Sequence, residues 1–64
     1  MTSDFQVENH GSIFLLRPLT EAADDWVGQH IPDDAMWFGL AVAVEHRFIA
    51  PIIEGIASDG LVVE

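Results

Sequence analysis

The chain contains no cysteine and no lysine. Without cysteine, neither a disulfide nor a thiolate metal site can support the fold, and the redox compartment leaves no trace in the sequence. Without lysine, the permanent cations are two Lys/Arg-type residues, both arginine, against eleven carboxylates, for a formal net charge of −9. No apolar run approaches the ~20 residues needed to cross a bilayer. The opening Met1-Thr2-Ser3-Asp4 is polar and acidic, without the basic and apolar regions of a secretory signal. These absences predict an intracellular, cytoplasmic chain that does not span a membrane. They also argue against direct contact with nucleic acid or anionic lipid, since both are polyanions.

What is present is enough for one small domain. The 64 residues have a mass of 7.0 kDa, and half of them are hydrophobic. A folded chain of this size exposes roughly 4,000 Å², and its stability should be on the order of 3–10 kcal/mol. There is no repeat, linker or low-complexity tract. A single domain over residues 1–64 is expected, with residues 1–4 flexible.

Hydrophobic periodicity gives the elements. Phe5 to Glu8 reads as a short strand, Asn9-His10-Gly11 as a turn that tolerates positive φ, and Ser12 to Arg17 as a strand. Ile13-Phe14-Leu15-Leu16 is apolar on both faces, which predicts a central position. Pro18 ends that strand. Thr20 is a suitable N-cap, with Glu21 in the first turn where the helix dipole favours negative charge. The helix should run to His30, with Leu19, Ala22, Ala23, Trp26, Val27 and His30 as its apolar stripe.

Ile31-Pro32-Asp33-Asp34 breaks the chain. Met36 to His46 reads as one strand region, with Gly39 as a bulge or turn and Leu40, Val42 and Val44 on its large apolar face. A second helix is expected from Arg47 or Phe48 to Asp59, turning Ile49, Ile52, Ile53 and Ile56 inward, with Pro51 in its first turn. Gly60 suits the position after the helix, and Leu61-Val62-Val63 can add a final strand. The fold class is therefore α+β, with the order β-β-α-β-α and an optional last strand. Three to five strands should form a mostly antiparallel sheet with both helices on one face. The other face is left open or half-open, for a partner or a second copy to cover.

Chemistry for catalysis is sparse. His10, His30 and His46 match neither HExxH nor His-x₃₋₅-His spacing. The adjacent pairs Asp24-Asp25 and Asp33-Asp34 lack the alternation of a calcium loop. No glycine-rich phosphate loop follows a strand, and no serine has an evident base. The expectation is a non-enzyme with no cofactor and no metal. Trp37 and Phe38 are adjacent and so point to opposite faces of a strand. Trp37 is a candidate aromatic anchor for a partner.

The acidic residues form the stronger pattern. Glu21, Asp24 and Asp25 share one helix face, Asp33 and Asp34 lie just beyond it, and Glu45 and Glu54 belong to the second half of the chain. Carboxylates one helical turn apart, at ~5.4 Å, approach the linear charge density of a DNA strand, whose phosphates rise by ~3.4 Å. The pattern suits a cationic protein groove, although the same charge also serves plain solubility.

Several segments carry a likeness. Glu8-Asn9-His10-Gly11-Ser12-Ile13, Leu15-Leu16, Pro18-Leu19-Thr20, Ala22-Ala23, Trp26-Val27, Pro32-Asp33-Asp34-Ala35, Trp37-Phe38-Gly39 and Val44-Glu45 together resemble short proteins encoded by phages and mobile elements of proteobacteria. In size and acidity the chain resembles the small anti-CRISPR proteins that act on type I-C systems. That resemblance implies an acidic DNA mimic in the cytoplasm of a bacterial host. It would occupy the basic surface where the large, Cas8-type subunit of the Cascade surveillance complex reads the PAM, and it would be a monomer or a weak dimer. The resemblance brings no catalytic motif and no contact residues, so the acidic face rests on charge and expected exposure. An antitoxin-like or accessory acidic module against another basic host protein is the alternative.

Overall fold

The computed structural model describes residues 3–64. Along the chain run β1 (Phe5–Asn9), β2 (Ile13–Pro18), α1 (Glu21–His30), β3 (Trp37–Phe38), β4 (Ala41–Glu45) and α2 (His46–Ser58). The four strands form an antiparallel sheet in the order β1-β2-β4-β3. β2 lies between β1 and β4, the central position expected of it; Phe14 and Leu16 face the helices, while Ile13 and Leu15 lie on the side without them. Gly11, at φ 85°, turns the first hairpin, and its amide donates to Asn9 Oδ1 at 2.9 Å.

The stretch expected as one strand region is a second hairpin. Phe38 pairs with Ala41, so Gly39 and Leu40 form a two-residue loop, and Gly39 has φ 60°. A glycine with positive φ at the first loop position fits the tight turn whose twist matches the flanking strands. The order is accordingly β-β-α-β-β-α. Leu40, expected on the apolar face, sits in this loop and is 69% exposed.

Register sets Phe5, Val7, Phe14, Leu16, Val42 and Val44 on one face of the sheet. Against them pack Ala23, Trp26 and Val27 of α1 and Ile49 and Ile56 of α2, with Ile52 and Ile53 partly buried alongside. One cluster holds both helices on one face. Each fully buried large side chain contributes about 1.5–3 kcal/mol, and Phe5, Leu16, Ile56 and Val42 are the largest of these. Trp26 joins the layers. Its ring meets Phe5 edge-on at 5.9 Å, and its indole N–H donates to Asp59 Oδ2 at 2.6 Å.

The α1 stripe is narrower than its sequence suggests. Leu19, Ala22 and His30 are exposed, because the ten-residue helix reaches the sheet only through positions 23, 26 and 27. Its start is as expected: the Thr20 hydroxyl accepts from the Ala23 amide at 3.1 Å. His30 stacks on Trp26 at 4.2 Å and donates from Nδ1 to the Trp26 carbonyl at 3.0 Å.

The second helix begins earlier than expected. The His46 amide still donates to Ser12 O at 3.1 Å, so the sheet ladder passes straight into α2 without a linker. Pro51 therefore lies in the second turn, inside the helix. It removes the donor that would bond the Arg47 carbonyl, and the gap falls on the exposed side, where both residues lie. At the far end Gly60, at φ 81°, lets its own amide bond Ala57 O at 3.0 Å and the Leu61 amide bond Ile56 O at 3.1 Å. This double closure satisfies the last carbonyls of the helix.

The chain ends lie side by side. The expected last strand is reduced to one parallel bridge, Phe5 with Val63. Asp4, expected to be flexible, is a clasp: its Oδ1 accepts from the Thr20 hydroxyl at 2.8 Å and its Oδ2 from the Val62 amide at 2.9 Å. Its carbonyl also accepts from the Leu19 amide at 2.7 Å. Residues 1 and 2, the rest of that expected segment, lie outside the described residues.

Three substitutions test these assignments by urea unfolding followed through tryptophan fluorescence. Asp4→Ala breaks both side-chain bonds of the clasp and should cost about 2 kcal/mol. Gly60→Ala places a side chain in a left-handed conformation and should cost about 1 kcal/mol. Pro51→Ala should stabilise by about 2 kcal/mol, since an interior proline costs about 3 kcal/mol and its loss loosens the unfolded chain by up to about 1 kcal/mol. A neutral or destabilising Pro51→Ala would contradict the placement of Pro51 in the second turn.

Candidate functional site

Packing through Ala23, Trp26 and Val27 fixes which side of α1 faces water. Glu21, Asp24 and Asp25 lie on the opposite side, and all three are exposed. The turn after the helix is closed by the Ala35 amide donating to Pro32 O at 3.1 Å, which puts Asp33 and Asp34 at its centre. Ile31 and Ala35 flank the turn and pack against the core. They pin the turn down while its two carboxylates point into solvent.

The charge of this region is uncompensated. No arginine occurs between Arg17 and Arg47, and the five carboxylates from Glu21 to Asp34 fall inside that gap. The ion pairs among the described residues are Glu8–His10 at 3.4 Å, Asp59–His30 at 3.8 Å and Glu45–Arg47 at 3.2 Å. None involves the five. Glu54 is also exposed and outside these pairs, on the side of α2 turned away from Ile49, Ile53 and Ile56. It therefore shares the helix side of the molecule with the α1 face.

Glu45 does not join them. It pairs across the sheet with Ile13, on the face that the helices leave open, and it holds its own cation in Arg47. Two further carboxylates are taken up by the fold: Asp4 as the clasp and Asp59 as acceptor for Trp26. The net charge thus overstates the surface available to a partner, and the unpaired part is concentrated on α1, its following turn and Glu54.

Trp37 pairs with Val42 and so lies on the helix side of the sheet, at the edge strand, 44% exposed. Phe38 lies on the open face, 53% exposed. Sequence reasoning singled out Trp37 and passed over Phe38 and Leu40. The available signal was Gly39 directly after two aromatics, a hairpin loop that leaves one of them on each face.

Beside the acidic turn is an apolar hollow of about 560 Å³. It runs between the end of α1, the Ile31–Ala35 segment and the first half of α2, with Val44, Phe48 and Ile52 in its walls. Two ionisable residues, His30 and Glu45, border it, and neither is paired with a nucleophile. Among the described residues no three metal-ligating side chains converge, and no helix is long and apolar enough to cross a membrane.

No protein-family model, no curated protein and no solved structure matches this chain.

Proposed function

We propose that this chain is a binding domain whose α1 face and Asp33–Asp34 turn enter a groove of lysines and arginines built to hold nucleic-acid phosphate, and that it competes with DNA for that groove. The observation that carries the reading is the exposed, unpaired set Glu21, Asp24, Asp25, Asp33 and Asp34 in a stretch without a single arginine or lysine. A surface evolved for stability alone mixes both signs. Here like charges sit three and four residues apart on α1, at Glu21, Asp24 and Asp25, which weakens the helix. Such a field accelerates encounter with a basic partner, and carboxylates can take the place of phosphate oxygens before arginine and lysine.

The resemblance to type I-C anti-CRISPR proteins directs this reading to one partner, the PAM-reading surface of the large Cascade subunit in the bacterial cytoplasm. On that surface the apolar hollow would receive a side chain next to the basic groove. Action by binding, without a cofactor, is part of the same proposal.

Binding to the isolated large subunit should weaken at least tenfold between about 50 and 200 mM salt, as expected when several charge contacts form together. An affinity unchanged over that range would sink the electrostatic reading, and recovery of a basic toxin in place of Cascade would favour the antitoxin-like alternative. Single changes Asp24→Asn, Asp25→Asn, Asp33→Asn and Asp34→Asn should each weaken binding roughly two- to fivefold. Asp25→Asn should also stabilise the free protein by about 0.3 kcal/mol, by removing its repulsion from Glu21. Glu8→Gln, on the open face of the sheet and paired with His10, should have the least effect on this contact.

A further inference from the structure

No helix covers the far face of the sheet, which is apolar along β2, β4 and β3. Ile13 and Leu15 of β2, Ala41 and Ala43 of β4 and Phe38 of β3 point to it, with Leu40 at its end, while Gln6 and Glu8 of β1, Arg17 of β2 and Glu45 of β4 give it a polar margin. Ile13, Phe38 and Leu40 are exposed large hydrophobic residues, Leu40 the most exposed of those described. An antiparallel sheet can leave one face to solvent, but that face is then ordinarily polar. Stacking on a second sheet is the usual way to cover an apolar one.

Two of the three charges on this face, Arg17 and Glu45, match those of a second copy, and the third, Glu8, is paired with His10. Arg17 lies on it, exposed, and is in none of the ion pairs among the described residues. Leu15 pairs with Ala43 at the centre. Arg17 lies two residues beyond Leu15 on β2, and Glu45 two residues beyond Ala43 on β4. The strands are antiparallel, so Arg17 and Glu45 stand on opposite sides of that central pair, each ~6.6 Å along its strand. A two-fold axis lying in the plane of the face through the central pair brings Arg17 of one copy over Glu45 of the other, twice. The uncompensated carboxylates Glu21, Asp24, Asp25 and Glu54 are on the helix side, away from the contact.

We propose that the chain forms a symmetric dimer through this open sheet face, with Leu15, Phe38 and Ala43 in the contact and reciprocal Arg17–Glu45 pairs at its ends. The 18 residues of the four strands, at ~3.3 Å rise and ~4.8 Å spacing, give a face of roughly 300 Å² in projection. That is smaller than the ~800 Å² of accessible surface that each partner contributes to a standard interface, so the dimer is weak. It leaves both acidic faces outward, and it holds whether or not the acidic face binds a DNA-binding partner.

Sedimentation of the 64-residue chain from about 10 μM to about 1 mM tests this. The weight-average mass should rise from 7.0 kDa toward twice that value. Phe38→Glu and Leu40→Glu each replace an exposed side chain, and each should weaken dimerisation at least tenfold while circular dichroism stays unchanged. Arg17→Glu and Glu45→Arg should each weaken it, and the double exchange should restore it. A chain that stays at 7.0 kDa at about 1 mM overturns the proposal. So does a dimer indifferent to both hairpin variants, or a double exchange without rescue.

Discussion

Trp26 is the point on which the two layers depend. Its ring is almost fully buried, edge-on to Phe5 of the first strand, and its N–H reaches past α1 to a carboxylate just beyond α2. A buried indole needs an acceptor, and Asp59 supplies one without leaving the surface itself. Gly55 of the second helix packs beside the ring: a Cβ there would lie 3.4 Å from the indole, at ordinary contact distance. The sheet, the first helix and the second helix are thus registered on one side chain, and the outward direction of the α1 acids follows from where that side chain must point.

The elements most legible in the sequence were those whose signals are local. Thr20 as cap, the bounds of α1, the Asn9–Gly11 turn and the glycine after α2 all depend on neighbours within a few residues. What escaped was set by distant partners. Asp4 reads as one more acid at a frayed end, and only the arrival of Thr20 and Val62 makes it an acceptor. The start of α2 was misplaced because proline propensity favours the first turn, whereas the ladder between β2 and β4 carries the backbone into helix five residues earlier than Pro51. The acidic face of α1 was legible because helical period alone groups Glu21, Asp24 and Asp25. The separation of Glu45 from that face was not, since it turns on a cross-strand pairing with Ile13.

Charge in this domain is divided between its two sides. Unpaired acid lies over the helices, while both arginines lie on or beside the open face: Arg17 on the outer side of β2, Arg47 at the root of α2 with Glu45. A small body of net charge −9 repels its own copies at long range, and this division gives it one side on which that repulsion is least. The same division keeps the acids of α1 free of internal partners, at a cost in helix stability that helix packing offsets through the buried cluster.

The shortness of β3 has a bearing on how far such a protein can polymerise. One margin of the sheet offers only Trp37 and Phe38, and the other is occupied by the chain's own final residues, ending in the charged Glu64. Neither margin presents the long row of free amides and carbonyls from which strands recruit further strands. Lateral growth into a continuous ribbon is thereby blocked at both sides, and an assembly made through the flat of the sheet closes on itself at two subunits.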